Sequence, residues 1–272
     1  MTLSIADVRR MLNEAGIEPK KSLGQNFVTD PNTVRRIARL SGVGEGSRVI
    51  EIGAGLGSLT LALLETGASV TAIETDRTLL PILESTVGDQ AKIIEADVRS
   101  LAWNEILRTP GWDLVANLPY NIATNVVLTV LDEVPAVTRL LVMVQQEAGE
   151  RIAASVGDVA YSAVSVRVAL RAKASIVGHV PPSVFYPQPR VSSALVAIER
   201  IDQKIEKRIE DELIDLLRVA FNQRRKMLRK SLRGRVEESA LKRAGISPTS
   251  RPQEVELDRW INLARESTEI EP

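Results

Sequence analysis

The 272-residue sequence has no cysteine and a single histidine, His179. Without cysteine the chain has no disulfide, no thiolate metal ligand and no cysteine nucleophile, and one histidine does not favour a histidine-centred metal site or catalytic triad. Any chemistry must therefore rest on other side chains and on the backbone, and we expect a site that needs no metal.

The sequence also lacks any apolar run that approaches the roughly 20 residues of a membrane-spanning helix. Its first residues, MTLSIADVRRML, place acidic and basic side chains within an apolar pattern, which is typical of an amphipathic helix and not of a signal peptide. The hydrophobic fraction of 44% supports an ordinary globular core. We therefore expect a cytoplasmic protein without a membrane partner.

The formal net charge is zero, but the charges are unevenly distributed along the chain. Residues 45–133 contain 5 basic and 13 acidic side chains, a difference of −8, whereas residues 171–250 contain 17 basic and 9 acidic side chains, a difference of +8. Such asymmetry between segments suggests a polyanionic partner for the basic end.

The segment RVIEIGAGLGSL at residues 48–59 predicts a buried parallel strand followed by a glycine loop and a helix. Because Gly53, Gly55 and Gly57 have no Cβ, the loop can take positive φ angles and let a ligand approach, although such glycines also serve packing alone. The GxGxG spacing differs from the GxGxxG of dinucleotide-binding loops. Glu51 would repel a pyrophosphate but suits the cationic groups of S-adenosylmethionine, so the loop favours a methyl donor.

Acidic residues follow the next two predicted strands. Glu74 comes 21 residues after Gly53, about the distance at which a βαβ unit returns a carboxylate to the ribose of an adenosine ligand, with two hydrogen bonds to its hydroxyls. Asp97 follows the third strand and can accept from an adenine amino group. Both acids are expected at the carboxyl edge of the sheet, where ligands of open α/β folds bind, although acids in such turns are also common without a ligand.

The hexapeptide NLPYNI at residues 117–122 follows a fourth predicted strand. Pro119 stiffens the loop and favours an extended conformation at Leu118, so the Asn117 amide and the Leu118 carbonyl are expected to point off the sheet edge. Two acceptors beside the Tyr120 ring suit an exocyclic amine on a flat base, because both N–H groups are held while the base stacks. The alternative is a tight turn with a surface tyrosine.

The alternation of strands and helices predicts an α/β fold with a mostly parallel sheet over residues 1–200. Residues 161–170 fit a helix or a strand, and we favour a helix. Strands at residues 174–180 and 191–198, joined by a proline-rich loop, suggest a hairpin-like end to the sheet. Beyond Arg200 the pattern is helical, which predicts a small all-helical domain over residues 201–272 with Trp260 in its core.

Two segments allow more than one interpretation. Residues 20–29, KKSLGQNFVT, are polar and broken by glycine, and their spacing favours a solvated loop through Gln25 and Asn26 with Phe27 as its one anchoring aromatic. Residues 223–233, QRRKMLRKSLR, contain six cationic side chains, three apolar ones and no acid. They fit a solvated helix face, but the charge imbalance favours a phosphate-binding helix.

The motifs GQNF, EIGAGLGSLT, NLPYNI, VPPSVFYPQPRVSSAL and FNQRRKMLRKSL, with Glu74 and Asp97, resemble the KsgA family of small-subunit ribosomal RNA adenine dimethyltransferases. They cover nearly the whole chain in the same order. The resemblance implies a Rossmann-like S-adenosylmethionine-dependent methyltransferase fold with a helical, RNA-binding C-terminal domain. It also implies the dimethylation of N6 on two adjacent adenosines near the 3′ end of 16S ribosomal RNA, in the immature 30S subunit, by a monomeric enzyme.

The resemblance further implies which residues bind the cofactor. Asn26 and the Val28 backbone would contact the methionine end, and Gly53 would cradle it. Glu74 would hold the ribose and Asp97 would meet the adenine. The family more often has leucine at position 28, but a backbone contact makes that difference unimportant.

For catalysis, the resemblance places Asn117 between the cofactor and the target, within the loop that Leu118, Pro119 and Tyr120 complete. Tyr120 and Phe185 would enclose the flipped target adenine from opposite sides. Without the resemblance, the favoured interpretation of Phe185 is core filler.

Two other functions fit parts of the pattern. An RNA-binding assembly factor would use the basic segment while methylation is incidental or lost, although the intact NLPY motif argues against lost activity. A nicotinamide-dependent oxidoreductase would use the glycine loop for a dinucleotide, which the GxGxG spacing and Glu51 disfavour.

Overall fold

The computed structural model describes residues 2–268, which divide into two units. Unit 1 contains residues 2–150 and 174–200, and unit 2 contains residues 151–173 and 201–268. The sequence predicted a single division after residue 200, and one junction lies there. The structure differs in one segment, because residues 151–173 belong to the helical unit.

The strands are β1 (Phe27–Val28), β2 (Arg48–Ile52), β3 (Ser69–Glu74), β4 (Ala91–Glu95), β5 (Trp112–Asn117), β6 (Val137–Gln145), β7 (Ala172–Val180), β8 (Phe185–Tyr186) and β9 (Ser193–Arg200). The helices are α1 (Ile5–Glu14), α2 (Pro31–Ser41), α3 (Ser58–Leu64), α4 (Leu80–Val87), α5 (Trp103–Ile106), α6 (Ala123–Glu133), α7 (Gln146–Ala153), α8 (Ala163–Arg171), α9 (Lys207–Asn222), α10 (Leu228–Ser231), α11 (Glu238–Arg243) and α12 (Leu257–Thr268). No helix within residues 2–268 is long and apolar enough to cross a membrane.

The main sheet has the strand order β4-β3-β2-β5-β6-β9-β7. The pairs β3–β4, β2–β3, β2–β5 and β5–β6 are parallel, and β9 runs antiparallel to β6. The order reverses between β2 and β5, and ligands of open α/β sheets bind outside the carboxyl ends of the strands at such a reversal. The predicted mostly parallel sheet is confirmed, and so is its hairpin-like end, because β7 and β9 are neighbours.

The central strands carry consecutive apolar residues because a parallel sheet is covered on both faces. Val49 and Ile50 in β2 and Leu114 and Ala116 in β5 have no exposed surface. These strands therefore read in the sequence as continuous hydrophobic runs. The polar residues that end them, such as Asn117, emerge at the carboxyl edge.

Unit 2 has its own hydrophobic core around Trp260, which is fully buried as predicted. Val166 and Leu170 of α8 belong to this core, and the buried Tyr161 hydroxyl donates to the Val255 carbonyl at 3.0 Å. Residues 161–170 are mainly helical, in agreement with the preferred prediction. Their apolar side chains pack against the C-terminal helices, which explains why residues 151–173 join unit 2.

The basic segment at residues 223–233 is not one helix, so that part of the prediction is wrong. Residues 223–227 form a turn, and α10 spans only Leu228–Ser231. The amides of Leu228 and Arg229 donate to the carbonyls of Ser250 and Pro248, at 2.7 and 3.1 Å. These tertiary bonds replace the bonds that a longer helix would make at this point.

Substitution of Gly57 tests the packing of α4 against the glycine loop. Gly57 has a φ of +88°, and a Cβ there would lie 3.1 Å from atoms of Leu83, Thr86 and Val87. Gly46 has a similar φ of +81° but no atom within 4 Å of such a Cβ. We expect both alanine variants to lose about 1 kcal/mol to backbone strain and Gly57→Ala to lose roughly 1–3 kcal/mol more. Urea denaturation measures the difference, and equal losses would contradict a packing role.

Candidate active site

The carboxyl ends of β2, β3 and β5 border two open pockets of about 710 and 660 Å³, both of which Gly53 lines. Predicted site residues that line the first pocket are Asn26, Val28, Gly53, Glu74, Asn117, Leu118 and Tyr120. Those that line the second are Gly53, Asp97 and Pro119. Motifs far apart in the sequence are thus brought to one edge of the sheet. Of the predicted site residues, Phe185 alone lines neither pocket.

The glycines of the loop between β2 and α3 serve both purposes that the sequence allowed, which are the approach of a ligand and close packing. A Cβ on Gly53 would lie 3.8 Å from the Asn117 carbonyl oxygen, an ordinary contact without a clash, and Gly53 lines both pockets. A Cβ on Gly55 would lie only 3.0 Å from the Phe27 ring. Gly53 therefore faces the pocket. Gly55 allows residues 20–29, which we call the N-terminal segment, to pack on the loop through Phe27.

The Glu74 carboxylate fastens the glycine loop to the end of β3. It accepts hydrogen bonds from the amides of Gly55 and Asp76 at 2.8 Å and from the Thr75 amide at 2.9 Å. Burial raises the pKa of Glu74, and the three backbone bonds partly offset that effect. A carboxylate offers about four lone-pair sites, so one remains for a ligand hydroxyl.

Glu51 lies beneath the glycine loop and is 1% exposed. The Thr60 hydroxyl donates to its carboxylate at 2.6 Å. Burial raises the pKa of Glu51 to about 8, despite the bond from Thr60, and the nearby Glu74 raises it further. Because Glu51 lines the first pocket, a cationic ligand there would favour its ionised form.

The N-terminal segment is not a solvated loop, and the prediction from its spacing is wrong. The Lys20 ammonium and the Gln25 amide each donate to the Asp76 carboxylate at 2.7 Å. Burial alone would raise the pKa of Asp76, but the bonds from Lys20, Thr78 and Gln25 lower it to about 2. This network was not predicted, and its only signal in the sequence was Asp76, a second acid after β3. Its effect is to hold Asn26 at the pocket wall.

The Asn117 side chain has a defined orientation. Its amide nitrogen donates to the Asn26 carbonyl at 3.0 Å, so the side-chain oxygen is free to accept a hydrogen bond from a ligand. The Leu118 amide donates to the Met143 carbonyl at 3.1 Å, and the Leu118 side chain is buried. This anchoring fixes the loop at the end of β5, as expected of a site that positions a substrate.

Tyr120 is positioned by a residue that sequence reasoning did not single out. Its hydroxyl lies 2.7 Å from the Ser193 hydroxyl on β9, and Ser193 is fully buried. Burial raises the pKa of Tyr120, so the phenol is neutral at physiological pH. The signal in the sequence was the place of Ser193 within the VPPSVFYPQPRVSSAL motif. The bond fixes the ring on the wall of the first pocket.

Asp97 lies at the second pocket, but its carboxylate is already engaged. The Arg99 side chain and amide donate to both of its oxygens, at 2.6 to 3.1 Å. The hydrogen bonds from Arg99 lower the pKa of Asp97. An adenine amino group would therefore share this carboxylate with the guanidinium. Within residues 2–268, no group of three His, Asp or Glu side chains is arranged to hold a metal ion.

Phe185, predicted to enclose the target base, lines neither pocket. Strands β1 and β8 pair antiparallel, with Val28 opposite Phe185. The Phe185 ring is 3% exposed and packs in a core that includes Val180 and Leu195. This position matches the core-filler interpretation, because opposite residues of a strand pair share a face and the Val28 side chain belongs to the same core.

Replacement of Glu51 should change the pH dependence of stability. The folded protein holds a proton on Glu51 up to about pH 8, whereas the group's ordinary pKa is 4.5. Between these values the folded state binds more protons than the unfolded state, so the free energy of unfolding falls as the pH rises. At pH 7 it is about 3 kcal/mol lower than below pH 4.5. Glu51→Gln removes this loss and should raise the melting temperature relative to wild type progressively from pH 5 to pH 8. Glu84→Gln, at an exposed glutamate, is the control; parallel curves for Glu51→Gln and wild type would contradict the assignment.

Two solved structures with the same architecture are a dimethyladenosine transferase and an rRNA methyltransferase. A dimethyladenosine transferase from Plasmodium falciparum superposes with a TM-score of 0.75 at 23% identity, covering 87% of this chain and 95% of that one. The 23S rRNA methyltransferase ErmE superposes with a TM-score of 0.67 at 23% identity, covering 89% and 99%. At this identity the likeness establishes the fold, and it confirms the predicted Rossmann-like methyltransferase architecture.

Sequence comparison gives the family. The family model for ribosomal RNA adenine dimethylase matches residues 17–269. The ribosomal RNA small subunit methyltransferase A of Thermobifida fusca is 42% identical over 96% of this chain and 95% of its own length, and that of Bifidobacterium adolescentis is 39% identical over 98% and 95%. These matches confirm the resemblance and the enzyme class predicted from the motifs: the chain belongs to the ribosomal RNA adenine dimethylase family.

Proposed function

We propose that this chain transfers methyl groups from S-adenosylmethionine to N6 of two adjacent adenosines near the 3′ end of 16S ribosomal RNA. The substrate is the immature 30S subunit, and the enzyme acts in the cytoplasm as a monomer. The observation that carries the proposal is the Asn117 side chain, whose oxygen is left available as an acceptor beside the Tyr120 ring. An adenine amine needs both an acceptor for its N–H and a surface for its ring.

The first pocket fits the proposed cofactor. Gly53 and Asn26 line its wall for the methionine end, and Glu74 retains an acceptor site for a ribose hydroxyl. The buried Ser58 hydroxyl also lines this pocket and has no hydrogen-bond partner within residues 2–268, so it offers a further polar group to a ligand. When bound, S-adenosylmethionine supplies an electrophilic methyl group.

The residues at the end of β5 prepare the target amine. The Asn117 side-chain oxygen accepts from N6–H, which favours a nitrogen lone pair localised on N6 over one delocalised into the ring. The Tyr120 ring stacks on the base and fixes its plane. Holding both reactants in line supplies roughly 7 to 11 kcal/mol of the barrier. The proton leaves N6 to water after methyl transfer, so no side chain need act as a dedicated base.

Asn117→Ala tests the assigned acceptor. We expect kcat to fall about a hundredfold, the effect of removing one group that stabilises a transition state, while cofactor affinity falls less than about fivefold. Labelled S-adenosylmethionine with immature 30S subunits gives the rate, and calorimetry gives the affinity. Asn104→Ala, on the exposed face of α5, is the control. Equal losses of rate and affinity would reject the role, and labelled cytosine in place of adenine would reject the proposed function.

The basic segment of unit 2 is proposed to bind RNA phosphates. Arg225, Arg229, Lys230 and Arg233 are exposed, and none is paired with an acidic side chain within residues 2–268. Arg235, two residues further on, pairs instead with Glu212 and Asp215. The segment therefore presents unneutralised positive charge to solvent, which attracts a polyanion.

The salt dependence of RNA binding tests this role. Replacement of Arg225 and Arg229 by glutamine should weaken binding and reduce the slope of log K against log salt by about two, because each phosphate contact contributes roughly one unit. Arg39 and Lys92 are exposed cations of unit 1, and their double glutamine variant is the matched control. Binding of a 16S ribosomal RNA fragment at several potassium chloride concentrations gives the slopes. Identical slopes for both variants would indicate that the basic segment is an ordinary solvated surface and does not bind RNA phosphates.

A further inference from the structure

A third pocket opens at the end of β6, lined by Gln145, Gln146, Glu147, Glu150, Val191 and Ser192. We call it the side pocket. Its open volume is about 750 Å³. It shares no lining residue with the two pockets described above, and none of its residues has a role in the proposed mechanism.

The side pocket lies next to the position proposed for the target base. In the pairing of β5 with β6, Asn117 is opposite Met143, so Gln145 comes two residues later at the same carboxyl edge. In the pairing of β6 with β9, Gln145 is opposite Ser193, the residue whose hydroxyl contacts Tyr120. A nucleotide adjacent to a base on Tyr120 therefore comes within reach of this pocket.

The side pocket is held rigidly. The Gln146 amide donates to the Ser192 carbonyl at 3.0 Å, which ties the start of α7 to the segment before β9. Gly149 allows close packing here, since a Cβ at that position would lie 2.8 Å from the Cβ of Ala194. Such packing fixes the direction of the side chains at the start of α7 and makes the pocket preformed.

The groups in the side pocket suit a nucleobase better than a phosphate. Its lining includes carboxylates and amides but no lysine or arginine, so a phosphate would be repelled. The Gln146 amide nitrogen donates to Glu150 at 2.9 Å, which leaves the Gln146 oxygen as an acceptor. Carboxylate and amide oxygens accept from the exocyclic amines of adenine and cytosine. Val191, 45% exposed, adds an apolar surface for the ring.

We propose that the side pocket binds the nucleobase adjacent to the adenine being methylated, through an exocyclic amino group held by Gln146 and Glu150. The inference rests on the proposed function and adds a determinant of substrate choice to it. An adjacent adenosine that still carries N6–H groups can thus occupy the side pocket while its neighbour lies against Tyr120, and it loses this contact once it is itself dimethylated.

The test uses 30S subunits reconstituted from 16S ribosomal RNA in which one neighbour of a target adenosine is changed to uracil, which lacks the amine, or to cytosine, which retains one. When the changed neighbour is the one that occupies the side pocket, we expect wild-type enzyme to methylate the particle with uracil about tenfold more slowly, which is the factor that one base-edge contact contributes. The particle with cytosine should be methylated at nearly the normal rate, because cytosine retains an amine. Particles changed on the 5′ and the 3′ side identify that neighbour.

The same particles are tested with Gln146→Ala and Glu150→Gln, and with Glu84→Gln as the control. Both pocket variants should be about tenfold slower on the natural particle, lose little more on the uracil particle, and keep their affinity for S-adenosylmethionine. Two outcomes would overturn the inference while leaving the proposed function intact. In one, the rate loss of the variant and that of the uracil particle multiply when the two are combined; in the other, the pocket variants are as fast as wild type on the natural particle. No adenine methylation by wild-type enzyme on any particle would reject the proposed function itself.

Discussion

The buried Glu74 carboxylate is the contact on which the site depends. One of its oxygens accepts from the Gly55 amide and the other from the amides of Thr75 and Asp76, so the turns after β2 and β3 are fixed to each other. Loss of a buried acceptor of this kind leaves unsatisfied amides that cost about 1–3 kcal/mol each. Gly53 follows β2 directly, so Glu74 helps to fix this part of the wall of the first pocket.

The N-terminal segment joins the two ends of the site. It is bound to the turn after β3 through Asp76, and its Asn26 carbonyl accepts from the Asn117 amide at the end of β5. Gly24 brings it closer still, because a Cβ there would lie 3.0 Å from that of Pro119. The turn after β3 and the loop after β5 are therefore linked through one segment. This coupling suits a reaction that depends on the alignment of two substrates.

Charge is used differently in the two units. The pocket walls carry acceptors, which suit a cationic cofactor and an amine, whereas the basic segment of unit 2 carries exposed cations, which suit phosphates. Neighbouring cations do not share this function, since Arg235 is neutralised by Glu212 and Asp215 while Arg229 is not. Availability for a polyanion is thus decided by pairing and not by residue type.

The sequence alone determined the α/β fold, the strand–glycine–helix unit, the acids after the strands and the NLPY loop, because hydrophobic periodicity and turn chemistry are local properties. The tertiary structure decided which side chains meet. The pairing of β1 with β8 buries Phe185, and a long-range hydrogen bond to Asp76 fixes the segment around Gln25. The Ser193 hydroxyl contacts that of Tyr120, and backbone bonds to residues 248–250 limit α10 to one turn. Such contacts join residues far apart in the chain, and no local pattern specifies them.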